Sequence, residues 1–161
     1  MNDIDLEHLK TSISVAWRAR EHGNHPFGAV LVDEQDRVVL EAENTVVTGH
    51  DVTGHAETNL VRLATGQFSP EQLVHYTLYS STEPCAMCAG AIHWSQIGRV
   101  VFALGEADLY DIIGSSPEHL LLPCREVFAH TQRHIEVHGP ISALQTEARA
   151  VHEGFWTAQD R

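Results

Sequence analysis

Near the start of the chain, apolar residues recur at three- and four-residue steps: Leu6, Leu9, Ile13, Ala16 and Trp17. That spacing predicts an amphipathic helix stopping near Gly23. The period then shortens. FGAVLVD (27–33) and RVVLEAENTV (37–46) read as strands, and the polar link Glu34-Gln35-Asp36 predicts an antiparallel hairpin between them. Thr48 to Gly54 reads as loop, followed by a second helix from about His55 through Leu60, Leu63 and Ala64 to about Gly66. YTLYSST (76–82) is a third strand. Pro84 breaks it and falls near the first turn of a third helix, roughly Cys85 to Trp94, where a missing N–H costs little. RVVFAL (99–104) is continuously apolar, as expected of a fourth strand covered on both faces. Between Glu106 and His130 the pattern weakens, with helical pieces expected around Pro117–Leu122 and Arg125–His130. A short fifth strand is expected over Arg133–His138, and a final helix from Pro140 through Leu144, Ala148 and Val151 to about Trp156.

Strands alternating with helices argue for an α/β layered domain with a mixed sheet. The fourth and fifth strands are separated by roughly thirty residues, enough for a right-handed helical crossover that makes them parallel. A length of 161 residues suits one domain, 1–161, with no internal repeat and no linker composition. Hydrophobic residues at 43% and charged residues at 20% exclude a disordered or fibrous chain.

Charge narrows the partners. Twenty-two acidic against ten basic residues give −12, and the basic set is Lys10 plus arginines spread along the chain. Binding a phosphate backbone requires a dense set of such cations. Nucleic acid and an anionic membrane surface are therefore disfavoured. No apolar run approaches the roughly 20 residues that cross a bilayer. The opening MNDIDLEHLK lacks the basic start and apolar stretch of a secretory signal. A cytoplasmic location is expected, where the spacing Cys85-x-x-Cys88 signifies metal or redox chemistry rather than a structural bridge.

Two short runs carry that chemistry: His55-Ala56-Glu57 and Pro84-Cys85-Ala86-Met87-Cys88, each at an expected helix start. A catalytic zinc takes three protein ligands and keeps one position for water. His55, Cys85 and Cys88 meet that count, and a helix N-terminus favours thiolates. Glu57, two residues beyond His55, is better placed to reach the water than to ligate. A dithiol redox pair and a closed zinc knuckle with His50 or His93 as fourth ligand are the other readings. Most of the twelve histidines are bystanders, and Cys124 reads as a small buried hydrophobe.

His-x-Glu followed by Pro-Cys-x-x-Cys resembles the signature of zinc deaminases that act on nucleobases. The resemblance to the cytidine deaminase-like superfamily extends from HPFGAVLVD through TGHAETNLVRLA and STEPCAMCAGAIHW to RVVFAL. It implies a three-layer α/β/α sandwich with a five-stranded mixed sheet, and Zn2+ held by His55, Cys85 and Cys88. It also implies Glu57 as the proton shuttle in hydrolytic release of ammonia from a ring carbon. The backbone N–H groups of Ala56 and Cys85 become candidate partners for the substrate or the reacting oxygen.

Two branches of the superfamily compete. EPCAMCAGAI (83–92) resembles the tRNA-specific adenosine deaminases, but those enzymes present a basic surface to the anticodon stem, and −12 argues against one. HPFGAVLVD, Asn44-Thr45 and Trp94 resemble the bacterial guanine deaminases, in which the matching Phe and Trp line the base pocket and the matching Asn bonds the base. Phe27, Asn44 and Trp94 are accordingly pocket candidates. The purine-reading Asp of that branch is not matched: the comparable stretch, LYDIIGSSPEHL (109–120), has Ser115 and Ser116 at the corresponding count, with Asp108 and Asp111 nearby. The substrate expected is therefore a free amino-substituted heterocycle, whether purine, pyrimidine, pterin or triazine. Phe155 and Trp156 resemble an aromatic tail that closes the site in some relatives, and a homodimer is expected.

Overall fold

The computed structural model describes residues 2–156. Helix α1 (Asp3–Glu21) begins at a capping box, in which Asn2 and Asp5 each accept the other's backbone N–H. It leads into a hairpin of β1 (Gly28–Val32) and β2 (Val38–Glu43), paired from Gly28↔Glu43 to Val32↔Val38. Three helices follow: α2 (Val46–Gly49), α3 (Ala56–Gln67) and α4 (Pro70–Leu73). Then come β3 (Thr77–Thr82), α5 (Ala86–Ser95), β4 (Arg99–Leu104), α6 (Glu106–Ile113) and α7 (Cys124–Ala129). The described chain finishes with β5 (Glu136–His138), a 3-10 turn at Ser142–Leu144 and α8 (Gln145–Ala150).

The five strands form one mixed sheet in the order β2-β1-β3-β4-β5. β1 is antiparallel to β2 and β3, while β3–β4 and β4–β5 are parallel, as the long crossover between the last two requires. Alternate residues of each central strand feed two cores. Ala29, Leu31, Leu78, Val100 and Phe102 meet Leu60 of α3, Ile92 of α5 and Phe128 of α7. Val30, Val32, Tyr79, Val101 and Ala103 meet Leu9 and Ala16 of α1, Leu109 of α6 and Ala148 of α8. Burial on both faces explains why β1 and β4 read as unbroken apolar runs.

Two features lock α1 to the sheet. A Cβ on Gly28 would lie 2.4 Å from the backbone N of Ala16 and 2.5 Å from the carbonyl O of Ser12, so only glycine permits this approach. The buried Asp5 carboxylate receives the Tyr79 hydroxyl at 2.7 Å and both Arg99 guanidinium nitrogens at 2.7 and 3.1 Å. Burial opposes its charge, but these donors hold its carboxyl well below the usual carboxylate range.

Connectivity brings several segments to one end of the sheet. β1 starts there after Phe27, β2 ends there before Asn44, and the parallel β3 and β4 end there at Thr82 and Leu104. In open α/β sheets, ligand crevices form outside the carboxyl ends of parallel strands.

The last third departs from expectation. Glu106–Ile113 is a helix, whereas Pro117–Leu122 is not; there Leu120 and Leu121 are exposed between Pro117 and Pro123. β5 is limited to Glu136–His138, because Arg133 lies outside it and donates to the carbonyls of Ile92, His93 and Ile97 at the end of α5. Pro140 does not open the final helix: the Ile141 N–H donates to the Ala103 carbonyl at 2.9 Å, tying the chain to β4 before α8 begins.

Candidate active site

His55 and Cys85 are the residues immediately preceding α3 and α5, and Cys88 lies in the first turn of α5. Both helices therefore aim their positive ends at one point. His55 Nδ1 lies 3.5 Å from each sulfur, and the sulfurs are 3.6 Å apart. A tetrahedral zinc with Zn–S near 2.3 Å and Zn–N near 2.05 Å requires separations of about 3.8 Å between sulfurs and about 3.6 Å from sulfur to nitrogen. The triad fits zinc. Among the described residues no fourth histidine, cysteine or carboxylate joins it, so the closed-knuckle reading lacks its fourth ligand. His50 ends α2 in a left-handed conformation, and His93 pairs its ring with Trp94.

The Cys85 thiol is pulled down to about 4, first by the hydrogen bond with Cys88 and then by His55. His55 is raised in turn by the Cys85 thiolate. Glu57, in the first turn of α3, is 4% exposed. Ser80 on β3 donates to its Oε1 at 2.7 Å, and its Oε2 lies 3.5 Å from Cys88 Sγ. Burial raises the Glu57 carboxyl above its ordinary range; a bound dication opposes that shift.

The triad opens onto a cleft of about 440 Å3. Of the residues expected at the site, Phe27, His55, Glu57 and Cys85 line it. Ala56 is buried as the first residue of α3. Asn44 is buried next to the cleft wall, its Oδ1 accepting the Val46 N–H at 3.0 Å. Trp94 lies elsewhere: it is 80% exposed, beside Gly90 and His130 on the outer side of α5. Asp111, Ser115 and Ser116 line an adjoining cavity, and Asp108 pairs with Arg149 at 3.4 Å. Phe155 stays off the cleft lining and packs edge-on against Trp156, which lines it.

Trp156, expected from the resemblance to an aromatic tail, lines the cleft too, whereas His25, Thr82, Glu83, Glu106, Tyr110, Glu118 and His119 line it with no role assigned from the sequence. Glu83, one residue before Pro84-Cys85, accepts the backbone N–H of Glu106 on one oxygen and of Cys124 on the other, both at 3.1 Å, so it ties α6 and α7 to the metal-binding loop. The Thr82 hydroxyl is buried and has no partner among the described residues. Trp156 Nε1 donates to His152 Nδ1 at 3.1 Å, and both rings neighbour Phe27. His152 is 2% exposed, and burial lowers its pKa to about 4.

The model of the cytidine and deoxycytidylate deaminase zinc-binding region matches residues 2–104, which include the triad and Glu57. The chain belongs to this family: it is a zinc-binding deaminase, a hydrolase acting on a C–N bond. It is 43% identical over 158 residues to a Schizosaccharomyces pombe protein described as a probable cytosine deaminase, covering 97% of this chain and 94% of that one. A tRNA-specific adenosine deaminase of Buchnera aphidicola is 39% identical over 101 residues, 63% of this chain and 66% of its own. The crystal structure of the Bacillus subtilis guanine deaminase superposes with a TM-score of 0.59 at 32% identity, covering 76% of this chain and 83% of that one.

Proposed function

We propose that the protein is a zinc-dependent hydrolytic deaminase of a free amino-substituted heterocyclic base. The observation that carries this reading is the composition of the cleft: the aromatic rings of Phe27, Tyr110 and Trp156, several carboxylates, and neither lysine nor arginine among the described lining residues. Such walls suit a small planar ring with N–H groups and offer nothing to hold a phosphate.

When bound by His55, Cys85 and Cys88, zinc supplies a water of near-neutral pKa and stabilises charge developing during attack. Glu57 takes the proton that water gives up and returns it to the ring nitrogen beside the reacting carbon. The water oxygen bonds to that carbon; Glu57 then takes the remaining proton from this hydroxyl and delivers it to the amine, so that the C–N bond breaks, ammonia leaves and a ring carbonyl remains. Ser80 holds one Glu57 oxygen, so the other faces the triad in a fixed orientation. Phe27 and Trp156 flank the ring. Asn44 is proposed to bond the base through its Nδ2, which has no partner among the described residues; Ala56 and Cys85 are proposed to do so through their N–H groups.

Cytosine heads the substrate panel, since the relative matched over nearly its full length is described as acting on it. Guanine follows, with pterins and triazines. A tRNA-specific adenosine deaminase is the second reading, favoured by 39% identity over 101 residues to a relative so described. We place the protein in the cytoplasm, as a homodimer through the outer faces of α3 and α5, where Leu63, Met87 and Trp94 are exposed. Among the described residues no helix is long and apolar enough to cross a membrane.

The test is ammonia release by the zinc-loaded protein from cytosine, guanine, adenine, pterin and an aminotriazine, beside inosine formation in a tRNA anticodon loop. Turnover of a free base is expected; inosine formation alone would reverse the choice.

A further inference from the structure

The metal-bearing cleft shares a wall with the adjoining cavity, which is about 730 Å3 in volume. Glu106, Tyr110 and His119 line both spaces. The Tyr110 ring stacks on the His119 imidazole, with centroids 4.2 Å apart and 14° between planes. The Tyr110 hydroxyl donates to Glu106 Oε1 at 3.2 Å.

Glu106 differs from every other carboxylate on this wall. Glu83 has both oxygens filled by backbone N–H groups. Asp111 and Glu118 are exposed to solvent. Glu57 is assigned to proton transfer. Glu106 is only 8% exposed, yet its Oε2 has no partner among the described residues. Among the described residues, neither cavity is lined by a lysine or arginine that could take that oxygen. In the lining of the same cleft, the Thr82 hydroxyl is buried and has no partner among the described residues. Buried polar groups are as a rule hydrogen-bonded, so a vacant Thr82 hydroxyl, bordering the same cleft as a largely buried carboxylate whose second oxygen opens to it, points to a ligand that completes both.

We propose that Glu106 is a specificity-determining residue: its free oxygen accepts a hydrogen bond from a ring N–H of the bound base, while Tyr110 fixes the carboxylate's orientation. The inference rests on the free-base reading above and deepens it. A site built to accept an N–H rejects an analogue without one, because the buried acceptor is then left unpaired. The ligand class is thereby narrowed to heterocycles with a donor edge away from the reacting amine.

The experiment compares each accepted base with its ring-N-methyl derivative, beginning with cytosine and 1-methylcytosine, in wild type and Glu106→Gln. Preference is read as kcat/KM where turnover occurs and as an inhibition constant where it does not. Melting temperature and zinc content accompany each variant. In Glu106→Gln the preference for the unmethylated base is expected to fall at least about 10-fold, because only that base loses a partner. Loss by the same factor for both ligands is what a merely structural role for Glu106 gives, and it overturns the inference. Tyr110→Phe is expected to raise KM several-fold with kcat little changed. Should Glu106→Gln not fold, Glu106→Asp retracts the carboxylate by one methylene and is read by the same ratio. Wild-type protein that deaminates no free base overturns the functional reading and this inference with it. An active wild type whose preference survives in the Glu106 variants overturns the inference alone.

Discussion

The hydroxyl of Ser80 donates to Oε1 of Glu57 at 2.7 Å, and both side chains are buried. A carboxylate that moves a proton must keep one oxygen aimed at the reaction, and a fixed donor on the other oxygen does this at small cost. Glu57→Gln is expected to lower kcat by about 10²–10⁴-fold, the usual contribution of a positioned general acid–base. Ser80→Ala removes one hydrogen bond to a charged group, and a loss of about 10–100-fold is expected. Steady-state kinetics check both, with unchanged zinc content showing that the metal centre has survived.

Zinc should bind one per chain, measured by elemental analysis of purified protein. Cys88→Ser is expected to abolish stoichiometric binding. Stripping the wild type with a chelator should lower the melting temperature, since a ligand at 100 times its Kd stabilises the folded state by about 2.7 kcal/mol. Unaltered melting after complete stripping would contradict a metal held by His55, Cys85 and Cys88.

The Asp5–Arg99–Tyr79 network should dominate the carboxylate part of acid unfolding. Asp5→Ala leaves the Arg99 guanidinium, whose side chain is 22% exposed, with its longer carboxylate contact, to Glu136 at 3.3 Å, and a loss of about 2–3 kcal/mol is expected in denaturant titrations. Because the folded-state pKa of Asp5 is depressed, its contribution is full above the unfolded carboxylate value and disappears as pH falls below it. The Asp5→Ala protein should accordingly lose less stability than wild type between pH 4 and pH 2, a window that opens at the ordinary carboxyl value of 3.8.

A second acid limb belongs to His152. Burial, assisted by the positive charge of Arg20, lowers its pKa from 6.5 to about 4. The folded state therefore favours the neutral ring; its contribution is full above pH 6.5 and fades as pH falls toward 4. Protonation also removes the acceptor for the Trp156 N–H. Melting temperature in His152→Gln, which cannot titrate, should be flatter than wild type across this window.

The metal triad was legible because its signal is chemical: few residue sets other than His-x-Glu and Cys-x-x-Cys present those donors at two helix starts. β4 was legible because every residue after Arg99, from Val100 to Leu104, is apolar, and α3 because its period is unbroken. Trp94 shows what residue type leaves open. It lies six residues after Cys88, about 240° around the helix at 100° per residue, so it faces away from the metal that Cys88 faces. The wall built by Glu106 and Tyr110 was missed for another reason. α6 is short, and its role follows from where β4 ends and from the Glu83 carboxylate that holds its first N–H, neither of which leaves a local periodicity.

All cleft-forming connections leave the same end of the sheet, whereas the hairpin turn at Glu34-Gln35-Asp36 closes the opposite end. Five residues of β1 put the two ends about 17 Å apart, at roughly 3.3 Å per residue. That turn is exposed and built from polar side chains. It is accordingly an attachment point: a surface tether, a fluorophore or an inserted fusion partner placed there would stand on the far side of the molecule, leaving the mouth of the cleft open to incoming substrate.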